Sequence, residues 1–410
     1  MKKHLFPYLF LLLAALALAA CASKAAPEAV LPESAYPAGA NARTVYPMST
    51  PTSTSAPATA ESPGAVSPAP IPLFSIRIFP DGRGWAANWN QTALYHTADS
   101  GLNWTEVSPA DAISGASGGF YSFFLDGSTA WLSLPLFESS SLLRTTDSGT
   151  TWSTTPVDFS AGNPWFLDSQ NGFLLSRLDA AAGSEFVGIY QTADGGLSWV
   201  KRFSHEPGMA DPSLPAGGQK SGFTFPNLIN GWVAGSEPIN DFIYLYRSTD
   251  SGVNWLLQDV PLPDDAIGAM FESLPPVFFN ASEAVLPVRI YLPDGDAHTG
   301  FYRSTDGGET WSFLIGALPP ANRFVFADAQ NWWLLGESTF LRTGDGGLTW
   351  EDLSAALPVG FTPLNLDFAD ANHGWLLVSP VGDLELESNF LYGTSSGGSA
   401  WELLPARLTP

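Results

Sequence analysis

A hydroxyl residue followed by Asp two positions on, Gly four on and Trp seven on recurs seven times between Thr97 and Trp401. The copies place Asp99, Asp147, Asp194, Asp250, Asp306 and Asp345 at the acidic position. In the seventh, which opens at Thr394, Ser396 takes the place of Asp while Gly398 and Trp401 are kept. A second motif precedes each copy: Phe, then Asp or Asn two on, and usually a Gly-aromatic pair six and seven on, as in Phe166, Asp168, Gly172 and Phe173. Its fifth instance is weak, with Phe278, Asn280 and Val285 in the aromatic place. Two independent motifs in one register mean seven copies of a single supersecondary unit, none of which can bury its apolar face alone.

Within the first unit the runs 74–79, 85–89, 93–97 and 103–107 are short, rich in aromatic and β-branched residues, and separated by turn residues. They read as four antiparallel strands. Four strands in each of seven units predict an all-β, seven-bladed β-propeller over 73–410. Asp, Gly and a hydroxyl in the recurring turn suit a carboxylate that accepts backbone N–H groups beside a glycine at positive φ. The six Asp residues are therefore expected to hold turns, and no catalytic role is assigned to them. Arg144, Arg247, Arg303 and Arg342 share one register before the turn and read as part of the same scaffold.

The chain opens with Met1-Lys2-Lys3-His4 and an apolar run to Ala20, too short to span a bilayer, which reads as a signal peptide over 1–20. The run ends in Leu18-Ala19-Ala20-Cys21, the arrangement of a bacterial lipoprotein processing site, so Cys21 is expected to carry lipid. Cys21 is the only cysteine, which leaves no disulfide, thiolate metal site or cysteine nucleophile for the propeller. Residues 21–72 are mainly Ala, Pro, Ser and Thr and read as a disordered tether. The expected location is outside the cytoplasm, anchored to the bacterial membrane by the lipid. A formal charge of −23 excludes nucleic acid as a partner, because a phosphate backbone requires a cationic stripe.

The run Phe368-Ala369-Asp370-Ala371-Asn372-His373-Gly374-Trp375, with Leu341-Arg342-Thr343-Gly344-Asp345-Gly346-Gly347-Leu348-Thr349-Trp350, resembles the Asp-box (BNR-type) propellers. It looks most like the photosystem II assembly and stability factor family, and the likeness extends from Phe74 to Leu404. The resemblance implies a chaperone-like role towards a membrane subunit and an arginine-rich patch; this acidic chain has no obvious counterpart to that patch outside the turn register. On this basis the expectation is a non-enzymatic envelope protein that binds a protein partner through a basic segment.

The alternative is a carbohydrate-active enzyme or glycan-binding propeller. A sialidase-like site needs three converging arginines, an acid and a Tyr–Glu pair. Arg77, Arg177, Arg289 and Arg323 are the available contributors, and nothing in the sequence brings them together. Xyloglucanase-like enzymes look like two such propellers clasping a cleft, and 73–410 has the length of one. No cofactor is expected. His96, His205, His298 and His373 show no ligand spacing, and the oxygen-rich loop Asp294-Gly295-Asp296-Ala297-His298 reads as solvated rather than as a calcium site.

In an up-and-down blade the first and last turns lie on one rim, which the two motifs occupy. The opposite face carries the middle turns and the links between blades, and variable loops on a rigid scaffold are where binding is expected. Acids gather there: Asp264 and Asp265 in one link, and Asp294, Asp296, Asp383 and Glu385 in middle turns. These, with Trp89, an aromatic outside both motifs, are the expected contact residues, on a face of negative potential.

Overall fold

A computed structural model describes residues 69–409 except 137–138, 182, 210–212, 384–385 and 387. Cys21, the signal peptide and nearly all of the tether lie outside the described residues, as does Glu385. The chain forms a seven-bladed β-propeller of four-stranded antiparallel blades. Blade 1 comprises Ser75–Ile78, Gly84–Ala87, Leu94–Thr97 and Asn103–Glu106, each within two residues of the runs read from the sequence. The first strands of the other blades are Tyr121–Phe124, Gly162–Phe166, Gln219–Thr224, the pair Met270–Ser273 and Val277–Phe278, Arg323–Phe326 and Phe361–Phe368. First strands of neighbouring blades approach one another, so they line the axis.

The two motifs meet on one rim, as strand order requires. A main-chain bond joins the first turn to the last in every blade: Ser100 N to Gly82 O in the first (2.7 Å), Gly195 N to Gln170 O in the third (2.7 Å) and Gly397 N to Asn372 O in the seventh (2.8 Å). In the last turn of blade 3 the Thr192 hydroxyl donates to Asp194 (2.8 Å) and accepts from Gly196 N (2.9 Å). Asp194 also accepts from Ser198 N (2.9 Å) and the Ser198 hydroxyl (2.6 Å). Gly196 sits at φ +96°, where a Cβ would be strained and would collide with Leu142. In the degenerate seventh copy the Ser396 hydroxyl replaces the carboxylate and accepts Ala400 N at 3.1 Å.

The second motif packs blade against blade. Its aromatic residue in one blade stacks on the Phe that opens the motif in the next: Trp131 on Phe166, Phe173 on Phe225 and Trp333 on Phe368, each with centroids 3.7 Å apart. The arginine before the turn covers the same ring: Arg144 over Trp131, Arg247 over Trp232 and Arg342 over Trp333. The Trp131 and Trp333 indole N–H groups donate to Gly195 O and Gly397 O of the following blade (both 2.9 Å). Each ring thus buries a large apolar area without leaving its polar edge unpaired.

Closure draws on both ends of the propeller. Arg77 and the Ile78 N–H bind Asp367 of blade 7 (2.7 and 2.6 Å). Arg407–Thr409 adds a parallel outer strand to blade 1, and Ile71, assigned by sequence to the tether, is buried and bridged to Asn389. Blades 4 and 5 are fused where Ser236 pairs with Glu272 and Asn240 with Met270. The weak fifth copy is where the first strand is interrupted, at Leu274-Pro275-Pro276 between its two pieces, since proline offers no N–H to the ladder.

The turn carboxylates make acid stability a test of this scaffold. Hydrogen bonds from Thr310 and Thr349, side chain and backbone, hold Asp306 and Asp345 down to about 2. Unfolded aspartates titrate near ~3.9, so this contribution is complete above about pH 4 and is lost as pH falls through about 2. Loss of near-UV circular dichroism is expected in that window, with a shallower pH dependence for the double variant Asp306→Asn, Asp345→Asn. An unchanged slope would mean that these carboxylates do not hold the turns.

Candidate functional site

The axial passage is narrow and largely apolar. Where first strands of blades 2 to 6 converge, it holds a cavity of about 110 Å³ walled largely by Phe123, Trp165, Phe223, Val277, Phe324 and Phe326. Polar chemistry collects instead on the face of the links and middle turns.

The ends of blades 5 and 6 on that face bring together Glu272, Arg289, Tyr291 and Arg323. Glu272 lies on the first strand of blade 5 and pairs in register with Arg289 on Ala284–Tyr291; Met270 pairs with Tyr291 in the same way. Alternation along a strand puts residues 270 and 272 and residues 289 and 291 on one side of the sheet, while Phe271 and Ile290 turn into the core. Glu272 Oε2 accepts from the Arg289 guanidinium at 2.9 Å and from the Tyr291 hydroxyl at 3.3 Å. Arg289 Nε also donates to Ala321 O in the link to blade 6 (3.4 Å). Tyr291 is 40% exposed, so one carboxylate, one guanidinium and one phenol meet beside solvent. Burial and the Glu272 charge push the Tyr291 pKa upward, so the phenol stays protonated at neutral pH. Arg323, on the adjoining first strand, donates to Leu364 O (3.4 Å). Desolvation, then the charge of nearby Arg289, lowers its pKa.

The four arginines considered from sequence are not gathered into one site. Arg77 is tied to Asp367 towards the motif rim, and Arg177 is paired with Glu185 in blade 3. Only Arg289 and Arg323 are neighbours in charge. Tyr291 was missed altogether. An Arg-x-Tyr at the end of a strand, with buried Ile290 between, is the available signal, but it identifies a site only once Glu272 is in register.

The expected contact acids lie on the same face. Asp264, Asp265, Asp294 and Asp296 are exposed, and their loops adjoin, with Gly268 against Pro293 and Gly268 N bonded to Asp241 at 2.6 Å. Asp383 N donates to Pro380 O (3.0 Å) in the blade 7 middle turn, and Trp89 is exposed in that of blade 1. The expected negative face also carries strand-borne cations. Besides the two arginines, Lys220 is buried at the start of the first strand of blade 4, its ammonium donating to the carbonyls of Glu185, Pro215, Ala216, Gly217 and Gly218 at 2.9–3.3 Å. Reading loops alone overlooked these groups.

No protein-family model matches the chain. A curated xyloglucanase from Paenibacillus sp is 26% identical over 236 residues, 55% of this chain and 20% of the enzyme. The chain therefore spans about a fifth of the length of that relative. Among solved structures, YCF48 bound to D1 peptide is similar with TM-score 0.53 and 17% identity, covering 81% of this chain and 95% of that one. The GH74 enzyme of Niastella koreensis is similar with TM-score 0.51 and 13% identity, covering 82% and 67%. Likeness at these identities shows the propeller fold. The expectation of a non-enzymatic, protein-binding scaffold is corrected by the sequence relative, a xyloglucanase. That expectation rested on the family resemblance and on the sequence bringing no reacting groups together, and the repeat chemistry, which occupies the scaffold rim, is silent about the opposite face.

Proposed function

We propose that this chain is a carbohydrate-active enzyme of the Asp-box propeller kind that takes a polysaccharide on the link face and cleaves it at Glu272 and Tyr291. The observation that carries this reading is the shared oxygen of Glu272, held by Arg289 and hydrogen-bonded to the Tyr291 phenol beside solvent. Glycosidic cleavage needs one group to accept a proton or attack the anomeric carbon and another to give a proton. Glu272 is placed to take the Tyr291 proton as the phenol oxygen attacks the anomeric carbon, and the glycosidic oxygen leaves with a proton from solvent. The xyloglucanase relative supports a β-glucan backbone of the xyloglucan type as substrate. The same reading puts the enzyme outside the cytoplasm, tethered through lipidated Cys21, where a polymer too large to be imported would be met.

The test is release of reducing ends from a panel of polysaccharides by the purified full-length protein. Xyloglucan is expected to be cut, with charged galacturonan cut poorly by a chain of net charge −23. Absence of turnover on every polymer, with no retardation in affinity gels, would refute the proposal. Retardation without turnover would reduce it to a glycan-binding module.

A further inference from the structure

The fifteen tryptophans of this chain serve overwhelmingly as packing, and Trp89 is the one that is exposed, at 46%. Its position is built rather than loose. The ring of Phe74 meets it edge-on with centroids 4.3 Å apart, and Phe74 is itself anchored by its N–H to Ala87 O (2.8 Å). Trp89 lies in the 88–93 turn, which Asn88 braces by accepting Thr92 N (2.8 Å) and Ala93 N (2.9 Å) on its side-chain oxygen. From outside, Phe120 N donates to Gln91 O (3.0 Å), locking the turn to the link into blade 2. Asn90, Gln91 and Thr92 are exposed beside the indole, and no residue of 88–93 is charged.

A flat indole held rigid, bordered by amides and a hydroxyl and free of charge, matches the chemistry of a neutral pyranose. The ring's C–H face packs on the indole, and its hydroxyls exchange hydrogen bonds with amide donors and acceptors. An acidic peptide or anionic polymer would find no cation within this turn. Trp89 and Tyr291 share the link face but belong to blades 1 and 5, separated by blades 6 and 7 on the shorter way round. One monosaccharide cannot touch both, whereas a polymer lying across the face can.

We infer that Trp89 is a stacking platform for a neutral sugar of the polysaccharide chain, remote from Glu272, which selects long glycans over short ones. This rests on the carbohydrate reading above and adds a second subsite to it. Loss of one stacking contact is worth roughly tenfold in affinity. Titration calorimetry of the full-length protein with xyloglucan polymer should therefore show about tenfold weaker binding for Trp89→Ala and partial recovery for Trp89→Phe. Its heptasaccharide should be bound and turned over equally by the three proteins. Equal polymer affinity of wild type and Trp89→Ala would overturn the platform while leaving the site at Glu272 standing. A parallel loss for polymer and heptasaccharide would also overturn it, by making Trp89 part of the reacting site or of the fold. Absence of binding by the wild type to both sugars would overturn the platform together with the carbohydrate reading.

Discussion

Glu272→Gln should lower turnover on xyloglucan by roughly 10²–10⁴ while leaving the melting temperature nearly unchanged. Glutamine keeps the length of the side chain and an acceptor oxygen for the Arg289 guanidinium, which lies 2.9 Å away. It cannot take a proton. Tyr291→Phe should act in the same direction, because it removes the only polar atom of a side chain that is 40% exposed and bears little of the core. The pair distinguishes chemistry from architecture: both variants should refold with wild-type urea midpoints, and both should lose rate more than affinity. Retained turnover in both would move the reacting groups elsewhere on the link face. Loss of folding in Glu272→Gln alone would mean that the Glu272–Arg289 pair serves the junction of blades 4 and 5.

Lys220→Met should cost roughly 1–3 kcal/mol, the range for leaving buried acceptors without their donor. The side chain is 2% exposed and its ammonium faces five main-chain carbonyls, four of them from the consecutive residues 215–218. Burial pulls its pKa down to about 8, with the Glu237 charge opposing and the Arg177 charge assisting. The carbonyl cage is what compensates an ammonium in this position, and the Lys220 N–H adds a bond to Glu185 Oε2 at 2.7 Å. Methionine fills similar volume but removes the donor these carbonyls share, leaving Ala216 O with only the Glu185 N–H (2.8 Å). Urea unfolding should show a lower midpoint with an unchanged slope. A midpoint within experimental error of wild type would show that water satisfies these carbonyls as well as the ammonium does.

The repeat was legible in the sequence because its chemistry is local. A carboxylate reaching amides four residues on, a glycine at positive φ and an aromatic six or seven residues past a Phe are all encoded within one unit and written seven times over, with Ser396 and Val285 as the departures. Strand order alone then placed both motifs on one rim, and the main-chain bonds from Gly82 O to Ser100 N and its counterparts in the other blades follow from that order. What the motif aromatics touch was not legible. Trp131 stacks on Phe166 of the next blade, a contact that exists only when blades are laid side by side.

The candidate site is of this second kind. Glu272 and Tyr291 stand nineteen positions apart and meet because Met270 is in register with Tyr291 and a strand's alternation turns both side chains outward. Their surroundings come from further away, Ala321 from the link to blade 6 and Leu364 from blade 7. Lys220 finds its cage through the chain's return from Glu185 to residues 215–218, and Arg77 its counter-ion 290 positions along the chain. Composition and spacing determined a seven-bladed scaffold and which rim its two motifs occupy, because turns and strands depend on near neighbours. Which side chains share an oxygen on that face was decided by register and ring closure, where energy depends on contacts that sequence distance does not record.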